Sequence, residues 1–148
     1  MTTWRSWRLL RFGGAMADPR QMVEQLFEAF NRRDAAGIAA LCDEGMEFFA
    51  VTGEEVGRDT PYMGPRGLHD YLADVARVWE ELLITAREVK GGEERVLVRG
   101  RVYLRSRDLG IRDMPAAWIW EVRGGRFVRG EVFIDLELAE TRFEQISA

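Results

Sequence analysis

Pro115 to Asp135 read Pro-Ala-Ala-Trp-Ile-Trp-Glu-Val-Arg-Gly-Gly-Arg-Phe-Val-Arg-Gly-Glu-Val-Phe-Ile-Asp, and this stretch decides the fold. Two runs of alternating character flank the pair Gly124 and Gly125. Paired glycines supply the positive φ angles that a tight hairpin turn needs. The stretch therefore predicts two antiparallel strands joined at these glycines.

The two predicted strands have faces of different character, because successive side chains of a strand point to opposite sides. In the first strand, one face carries Ala116, Trp118, Trp120 and Val122, and the other carries Ala117, Ile119, Glu121 and Arg123. In the second strand, Val128, Val132 and Ile134 share one face, and Phe127, Arg129, Glu131, Phe133 and Asp135 share the other. We expect helices to cover the tryptophan face and solvent to reach much of the charged face.

Length and composition indicate one globular domain. The chain has 148 residues, with 47% hydrophobic and 31% charged residues, which are ordinary values for a protein with its own core. The net charge of −4 offers no basic surface for nucleic acid. No apolar run approaches the roughly 20 residues needed to span a bilayer. We therefore predict neither a nucleic-acid partner nor a membrane partner.

The cysteine and histidine content limits redox and metal chemistry. Cys42 is the only cysteine, which excludes an internal disulfide and favours a cytoplasmic location. With one cysteine and one histidine, a zinc site would need mostly carboxylate ligands, and the sequence shows no cluster with ligand spacing. We predict no metal and no cofactor.

Residues 1–15 differ from the rest of the chain, since they contain three arginines and no acidic residue. One interpretation is an arm that binds a membrane surface or a partner through Trp4, Trp7 and Phe12. The other is a disordered extension upstream of Met16, as is common at termini. We adopt the second, with residues 16–148 as a single domain.

Hydrophobic spacing predicts the order of the remaining elements. The first half begins with a helix opened by Asp18 and Pro19 and a short helix capped by Asp34. A strand over 46–51, a loop over 52–67 and a helix over 65–81 follow. The second half consists of strands over 83–89 and 95–107, the hairpin, and a helix over 136–146 capped by Asp135. Helices that precede a run of strands are typical of an α+β fold with the helices on one side of a curved sheet.

Three phrases of the chain resemble the nuclear transport factor 2-like superfamily, particularly its SnoaL-like and ketosteroid-isomerase-like members. They are Leu26-Phe27-Glu28-Ala29-Phe30-Asn31-Arg32-Arg33-Asp34 with Ile38 and Leu41, Tyr62-Met63-Gly64-Pro65-Arg66-Gly67-Leu68, and Gly125-Arg126-Phe127-Val128 running to Val132-Phe133-Ile134-Asp135. The resemblance implies a cone-shaped, curved antiparallel sheet with the N-terminal helices packed on its concave face. It also implies a pocket inside the cone and, often, a homodimer.

The catalytic set of the ketosteroid isomerases is not matched. The resemblance places the aspartate base of that family near Phe49, its tyrosine near Leu26 and its protonated acid near Trp118. A phenyl ring accepts no proton and a leucine donates no hydrogen bond, so steroid isomerisation by that mechanism is excluded.

Candidate catalytic residues are few, and each has a simpler structural interpretation. His69 is the only histidine, the residue type best suited to general base catalysis near neutral pH, but helical spacing puts it beside the inner stripe and towards solvent. Glu47 shares a strand face with Phe49 and is either a pocket carboxylate or an exposed acid. Asp135 is more simply a helix cap than a catalyst.

Aromatic residues are the candidates for the pocket lining. They are Phe49, Tyr62, Tyr71, Trp79, Trp118 and Trp120. These side chains fit either a cavity for a flat apolar ligand or a dry core, and periodicity does not separate the two.

The sequence therefore predicts a SnoaL-like protein that binds a small hydrophobic molecule. If it is an enzyme, we expect proton-transfer chemistry such as isomerisation, cyclisation or dehydration. The alternative is a non-catalytic ligand-binding or dimerisation accessory domain. A homodimer through the outer sheet face is expected from the resemblance and from Tyr103, Phe127 and Phe133, which are large apolar residues on a charged face.

Overall fold

The computed structural model describes residues 10–12, 15–50 and 60–147. The helices are α1 (Pro19–Asn31), α2 (Ala35–Leu41), α3 (Gly64–Val78) and α4 (Leu136–Ser147). The strands are β1 (Leu10–Phe12), β2 (Ala15–Ala17), β3 (Cys42–Phe49), β4 (Tyr62–Met63), β5 (Glu81–Gly91), β6 (Arg95–Ser106), β7 (Gly110–Arg123) and β8 (Arg126–Phe133).

Aspartates cap three of the helices, as the sequence predicts. The backbone N–H of Arg20 donates to Asp18 at 3.0 Å at the start of α1. The N–H of Gly37 donates to Asp34 at 2.9 Å at the start of α2. Asp135 accepts from the N–H of Leu138 at 3.0 Å in α4. Each cap satisfies a donor that the first turn leaves without an intrahelical partner.

The main sheet has six strands in the order β4-β3-β8-β7-β6-β5, and β1 pairs with β2 separately. The hairpin of β7 and β8 turns at Gly124 and Gly125, whose φ angles are 60° and 76°, which confirms the predicted turn. The α+β class with a curved sheet is confirmed. The sheet is mixed rather than wholly antiparallel, since β3 runs parallel to β8.

The main core lies between helices α1–α3 and one face of the sheet. The predicted inner stripe of α3 is buried there, and so are Trp118 and Trp120 of β7. The tryptophan face of the hairpin is therefore covered by helices, as predicted.

A second core lies on the opposite face of the sheet, under α4. It consists of Leu97, Ala117, Ile119, Phe133, Ala139 and Phe143. The prediction of a charged, open face is therefore wrong for this part of the sheet. Phe133 is buried under the C-terminal helix and is not available to a partner surface.

A bulge in the hairpin corrects the predicted face of Phe127. The pairing of β7 with β8 shifts by one residue between Glu121 and Val122. Because a one-residue shift reverses the side-chain alternation, Phe127 turns into the main core and is 0% exposed. Phe127 and Phe133 thus lie on opposite faces of the sheet, and not on one face as the alternation predicts.

Asn31 fastens the end of α1 to β5. Its side-chain amide donates to the carbonyl oxygen of Ile84 at 2.9 Å and accepts from the N–H of Ile84 at 2.8 Å. This paired contact, together with the packing of α1 against β5, fixes the position of the first helix on the sheet.

The predicted N-terminal extension is described only in part. Leu10–Phe12 pairs with Ala15–Ala17 as a short antiparallel ladder. Residues 1–9, 13 and 14 lie outside the described residues, as do the last residue of the predicted strand over 46–51 and residues 52–59 of the predicted loop. The dispensability of the extension stays a prediction.

Candidate functional site

A small, largely enclosed cavity lies inside the main core, between the helices and the sheet. It has a volume of about 20 Å³, close to the space that one water molecule needs. Two helices and five strands contribute its lining, which consists of Phe30, Phe48, Tyr71, Leu82, Ile84, Val102, Trp118, Trp120 and Val132. Val132 is the one lining residue that is only partly buried. The lining is thus almost wholly hydrocarbon and aromatic.

Trp120 is the most enclosed side chain of this wall. Its ring stacks on Phe48 with centroids 5.7 Å apart and an interplanar angle of 2°. Phe127 packs edge-on at 5.3 Å and Phe27 at 6.4 Å. Offset and edge-on aromatic pairs each add to the stability that burial provides. Trp120 is therefore held on several sides while one part of it faces the cavity.

Tyr71 and Trp118 connect the covering helices to the cavity. Tyr71 of α3 packs edge-on against Phe48 at 5.0 Å and against Phe30 at 5.8 Å. Trp118 packs edge-on against Phe27 of α1 at 4.7 Å. The structure thus brings Tyr71, Trp118 and Trp120 together around the cavity. Their role in a ligand pocket stays a prediction.

Tyr62 is buried behind Tyr71 rather than at the mouth of a pocket. The two rings are 5.2 Å apart, and the hydroxyl of Tyr62 donates to Asp74 at 2.9 Å. Asp74 also accepts from Arg77 one turn along α3. Sequence reasoning missed Asp74, because no local pattern relates a loop tyrosine to a helix residue twelve positions later.

Trp79 is buried but does not line the cavity. It follows the last residue of α3 and has an extended backbone, which ends the helix. The guanidinium of Arg112 lies 5.3 Å from the ring centroid. The indole nitrogens of Trp79 and Trp120 are buried and, among the described residues, have no hydrogen-bond partner. Trp79 belongs to the core near the end of α3.

Phe49 and Glu47 lie on the side of β3 that faces away from the cavity. The buried residues of this strand are Cys42, Met46 and Phe48, so the alternation places Phe48 inward. The guanidinium of Arg129 lies 4.4 Å from the ring centroid of Phe49 on the other face. The assignment of Phe49 to the pocket lining is therefore corrected to Phe48, and Glu47 shares the outward face with Phe49.

The two remaining catalytic candidates are exposed and are not part of the cavity lining. His69 is exposed on α3, although its neighbour Leu68 is buried. Asp135 is exposed and caps α4. The structure therefore does not bring Glu47, His69 and Asp135 together.

The charged outer face consists of paired side chains. Glu121 lies 3.8 Å from Arg95 and 3.9 Å from Arg129, and Arg129 also lies 3.3 Å from Glu131. Arg101 pairs with Asp113 at 2.9 Å. Such cross-strand pairs stabilise a sheet surface modestly. They also mean that these arginines are already paired with carboxylates.

A family model described as a SnoaL-like domain matches residues 23–130. The chain belongs to this SnoaL-like domain family. The match covers α1 to β8 up to Gly130, which includes every described residue of the cavity lining except Val132. The predicted resemblance to SnoaL-like proteins is confirmed.

Solved structures show the same fold at low sequence identity. This SnoaL-like domain matches TerC, co-crystallised with polyporic acid, at 22% identity and a TM-score of 0.70, over 84% of this chain and 97% of that one. It matches a nuclear transport factor 2-like protein of unknown function from Burkholderia pseudomallei at 21% identity and a TM-score of 0.71, over 87% and 97%. It matches a putative SnoaL-like polyketide cyclase from Shewanella denitrificans at 16% identity and a TM-score of 0.63, over 86% and 96%. No curated protein sequence matches the chain.

Within residues 10–12, 15–50 and 60–147, no three side chains of His, Cys, Asp and Glu converge as metal ligands would. No helix in the same part of this SnoaL-like domain is long and apolar enough to cross a membrane.

Proposed function

We propose that this SnoaL-like domain binds one small, flat, hydrophobic molecule in the cavity beside Trp118 and Trp120. The observation that carries the proposal is a cavity, rather than solid packing, at the point where apolar side chains of two helices and five strands meet. Buried apolar pockets with few polar groups are the usual form of small-molecule sites. Two structural neighbours, TerC co-crystallised with polyporic acid and a Catenulispora acidiphila protein in complex with trimethylamine, support small-molecule binding by a protein of this fold.

Binding requires the cavity to expand, because its present volume suits one water molecule. A ligand must displace part of the wall, and Val132 is the lining residue that is only partly buried. A ligand that binds only the folded chain raises its stability by mass action. The melting temperature is therefore a direct readout of occupancy.

Binding is favoured over catalysis by the chemistry of the lining. Proton transfer needs an acid or base within hydrogen-bond reach of the substrate. The described lining contains no carboxylate and no imidazole, and Glu47, His69 and Asp135 lie elsewhere. The second candidate function is an isomerase, cyclase or dehydratase, which the neighbours named putative polyketide cyclases favour. Such an enzyme would need its base from outside this lining.

A pair of matched variants tests the proposal, with indane as the probe. V102L adds one methylene group at the cavity wall, and V98L adds the same group to a buried residue of the same strand that does not line the cavity. We expect indane to quench tryptophan fluorescence and to raise the melting temperature of the unmutated protein and of V98L, but not of V102L. V98L should be less stable than V102L, because overpacking is costly where no space exists. Equal binding by the two variants, or no binding to the unmutated protein, would refute the cavity as the site.

The assembly and location of the protein are part of the same proposal. Leu83, Tyr103 and Ile111 lie together on the part of the outer sheet face that α4 leaves open, and Ile111 is 65% exposed. We propose that this surface forms a homodimer. Phe127 and Phe133 are buried within the chain and no longer support it. A cytoplasmic location stays a prediction from the lone cysteine.

A further inference from the structure

The indole N–H of Trp120 is a buried donor that the described protein atoms leave unsatisfied. Trp120 is 0% exposed, and its Nε1 atom has no hydrogen-bond partner among the described residues. A buried donor without an acceptor destabilises the folded state, so such groups are rare and call for an explanation. Trp120 also lines the cavity, so this donor belongs to a residue of the proposed ligand site.

The contact between Trp120 and Gly130 shows in which directions the two edges of the indole point. A Cβ atom built on Gly130 would lie 2.1 Å from Cζ3 and 2.5 Å from Cε3 of Trp120, so the benzene edge of the indole lies over β8. The stacked ring of Phe48 covers one face. The pyrrole edge, which carries Nε1, is on the opposite side of the indole and points away from β8. The N–H therefore lies on the side of the ring away from the contact with Gly130.

A water molecule is a poor occupant for this position. An ordered buried water makes two to four hydrogen bonds. Most of the lining around Trp120 is hydrocarbon, from Leu82, Ile84, Val102 and Val132 together with phenyl rings. A flat hydrocarbon molecule that carries one oxygen atom suits the cavity better. Its oxygen accepts a hydrogen bond from Nε1, and its hydrocarbon part contacts the apolar wall.

We propose that the ligand of this cavity is a flat, largely hydrocarbon molecule with a carbonyl-type oxygen that accepts a hydrogen bond from the indole N–H of Trp120. The proposal rests on the proposed function, since it names the chemical class that the same cavity binds. Trp120 acts here as the residue that selects and orients the ligand, and the aromatic wall supplies shape.

The test compares indanone with indane, which have the same ring skeleton and differ by the carbonyl oxygen. W120F removes the N–H and keeps an aromatic ring, and W79F removes the other buried, unpartnered indole N–H, which does not line the cavity. Dissociation constants are measured by calorimetry on the full chain. We expect W120F to weaken indanone binding about tenfold, the effect of one net hydrogen bond. Indane binding to W120F, and the binding of both probes to W79F, should change less than about twofold.

The outcomes separate the two proposals. If indane and indanone both bind and W120F weakens them equally, or weakens neither, the cavity remains the site and the role of the N–H is refuted. If neither probe binds the unmutated protein, both proposals are refuted.

A measurement on the unmutated chain covers the case in which W120F does not fold. The assigned Nε1–H resonance of Trp120 should move downfield with indanone and not with indane. An identical response to the two probes would overturn the inference.

Discussion

The benzene edge of Trp120 lies directly on the backbone of Gly130, in the register where β7 and β8 pair these two residues. The contact leaves no room for even a methyl group, since a Cβ at Gly130 would lie 2.1 Å from Cζ3. Phe48 and Phe127 prevent the ring from moving aside freely. Because Gly130 has no side chain, the ring of Trp120 can lie against β8 and form this part of the cavity wall.

G130A should destabilise the protein by about 1–3 kcal/mol, the usual cost of forcing an extra group into a packed core. It should also weaken the binding of indane, because the displaced ring moves into the cavity. Urea denaturation measures the first effect and calorimetry the second. G92A is the matched control, since a Cβ at Gly92 meets no atom within 4 Å. Equal stability of the two variants would contradict the described contact.

W120A should lower the free energy of unfolding by about 3–5 kcal/mol, as expected for a large aromatic side chain removed from a core. The reason is its burial against Phe27, Phe48 and Phe127. Chemical denaturation measures the loss, and indanone binding is measured on whatever fraction remains folded. A loss below about 1 kcal/mol would indicate a wide, open pocket around the ring rather than the largely enclosed cavity described.

The hairpin and the inner stripes of the helices were predictable, because they depend on local spacing. The alternation in β7 assigns both tryptophans to the core face, and helical spacing assigns Leu68, Tyr71 and Val75 of α3. The same rule fails at Phe127, where the bulge shifts the alternation by one residue. A bulge depends on the pairing of two strands and not on the pattern of either one.

The site was predictable only in part for the same reason. Phe48 and Phe49 are equally apolar, so the choice of the inward ring depends on the parallel pairing of β3 with β8, a contact far apart in sequence. The cavity itself is the space left where seven elements fail to fill their common centre. No local pattern contains that information.

Cys42 should be chemically inert in the folded protein. Burial raises the pKa of its thiol from 9.0 to about 12, so the reactive thiolate is scarce at neutral and mildly alkaline pH. Between pH 9 and 12 the unfolded chain loses this proton first, so the contribution of Cys42 to stability is present below pH 9 and is lost as the pH rises towards 12. A thiol reagent should react slowly with the native protein and fast in urea. Rapid reaction without denaturant would show that Cys42 is accessible.

Removal of residues 1–15 should leave the melting temperature within a few degrees of its original value. The retained part starts at Met16 and keeps every residue of both cores. Differential scanning calorimetry on the two chains measures the change. A large decrease would show that the extension packs on the domain and contributes to its stability.

The protein should sediment as a homodimer, with twice the chain mass of 17.0 kDa. Y103E places a charge in the centre of the open outer face and should give monomers, because an unpaired charge in an interface is costly. L109E, which changes an exposed residue of the β6–β7 turn, is the control and should remain dimeric. A monomer at tens of micromolar, roughly the range in which an ordinary dimer persists, would refute the assembly.

The side-chain amide of Asn31 also affects the edge of the sheet. β5 is an edge strand of the sheet. Edge strands expose backbone N–H and C=O groups with which a strand of another molecule can pair. At Ile84 both groups are already taken by one side chain, which imitates a neighbouring strand. The contact that closes the fold thereby also protects the exposed border of the sheet from aggregation.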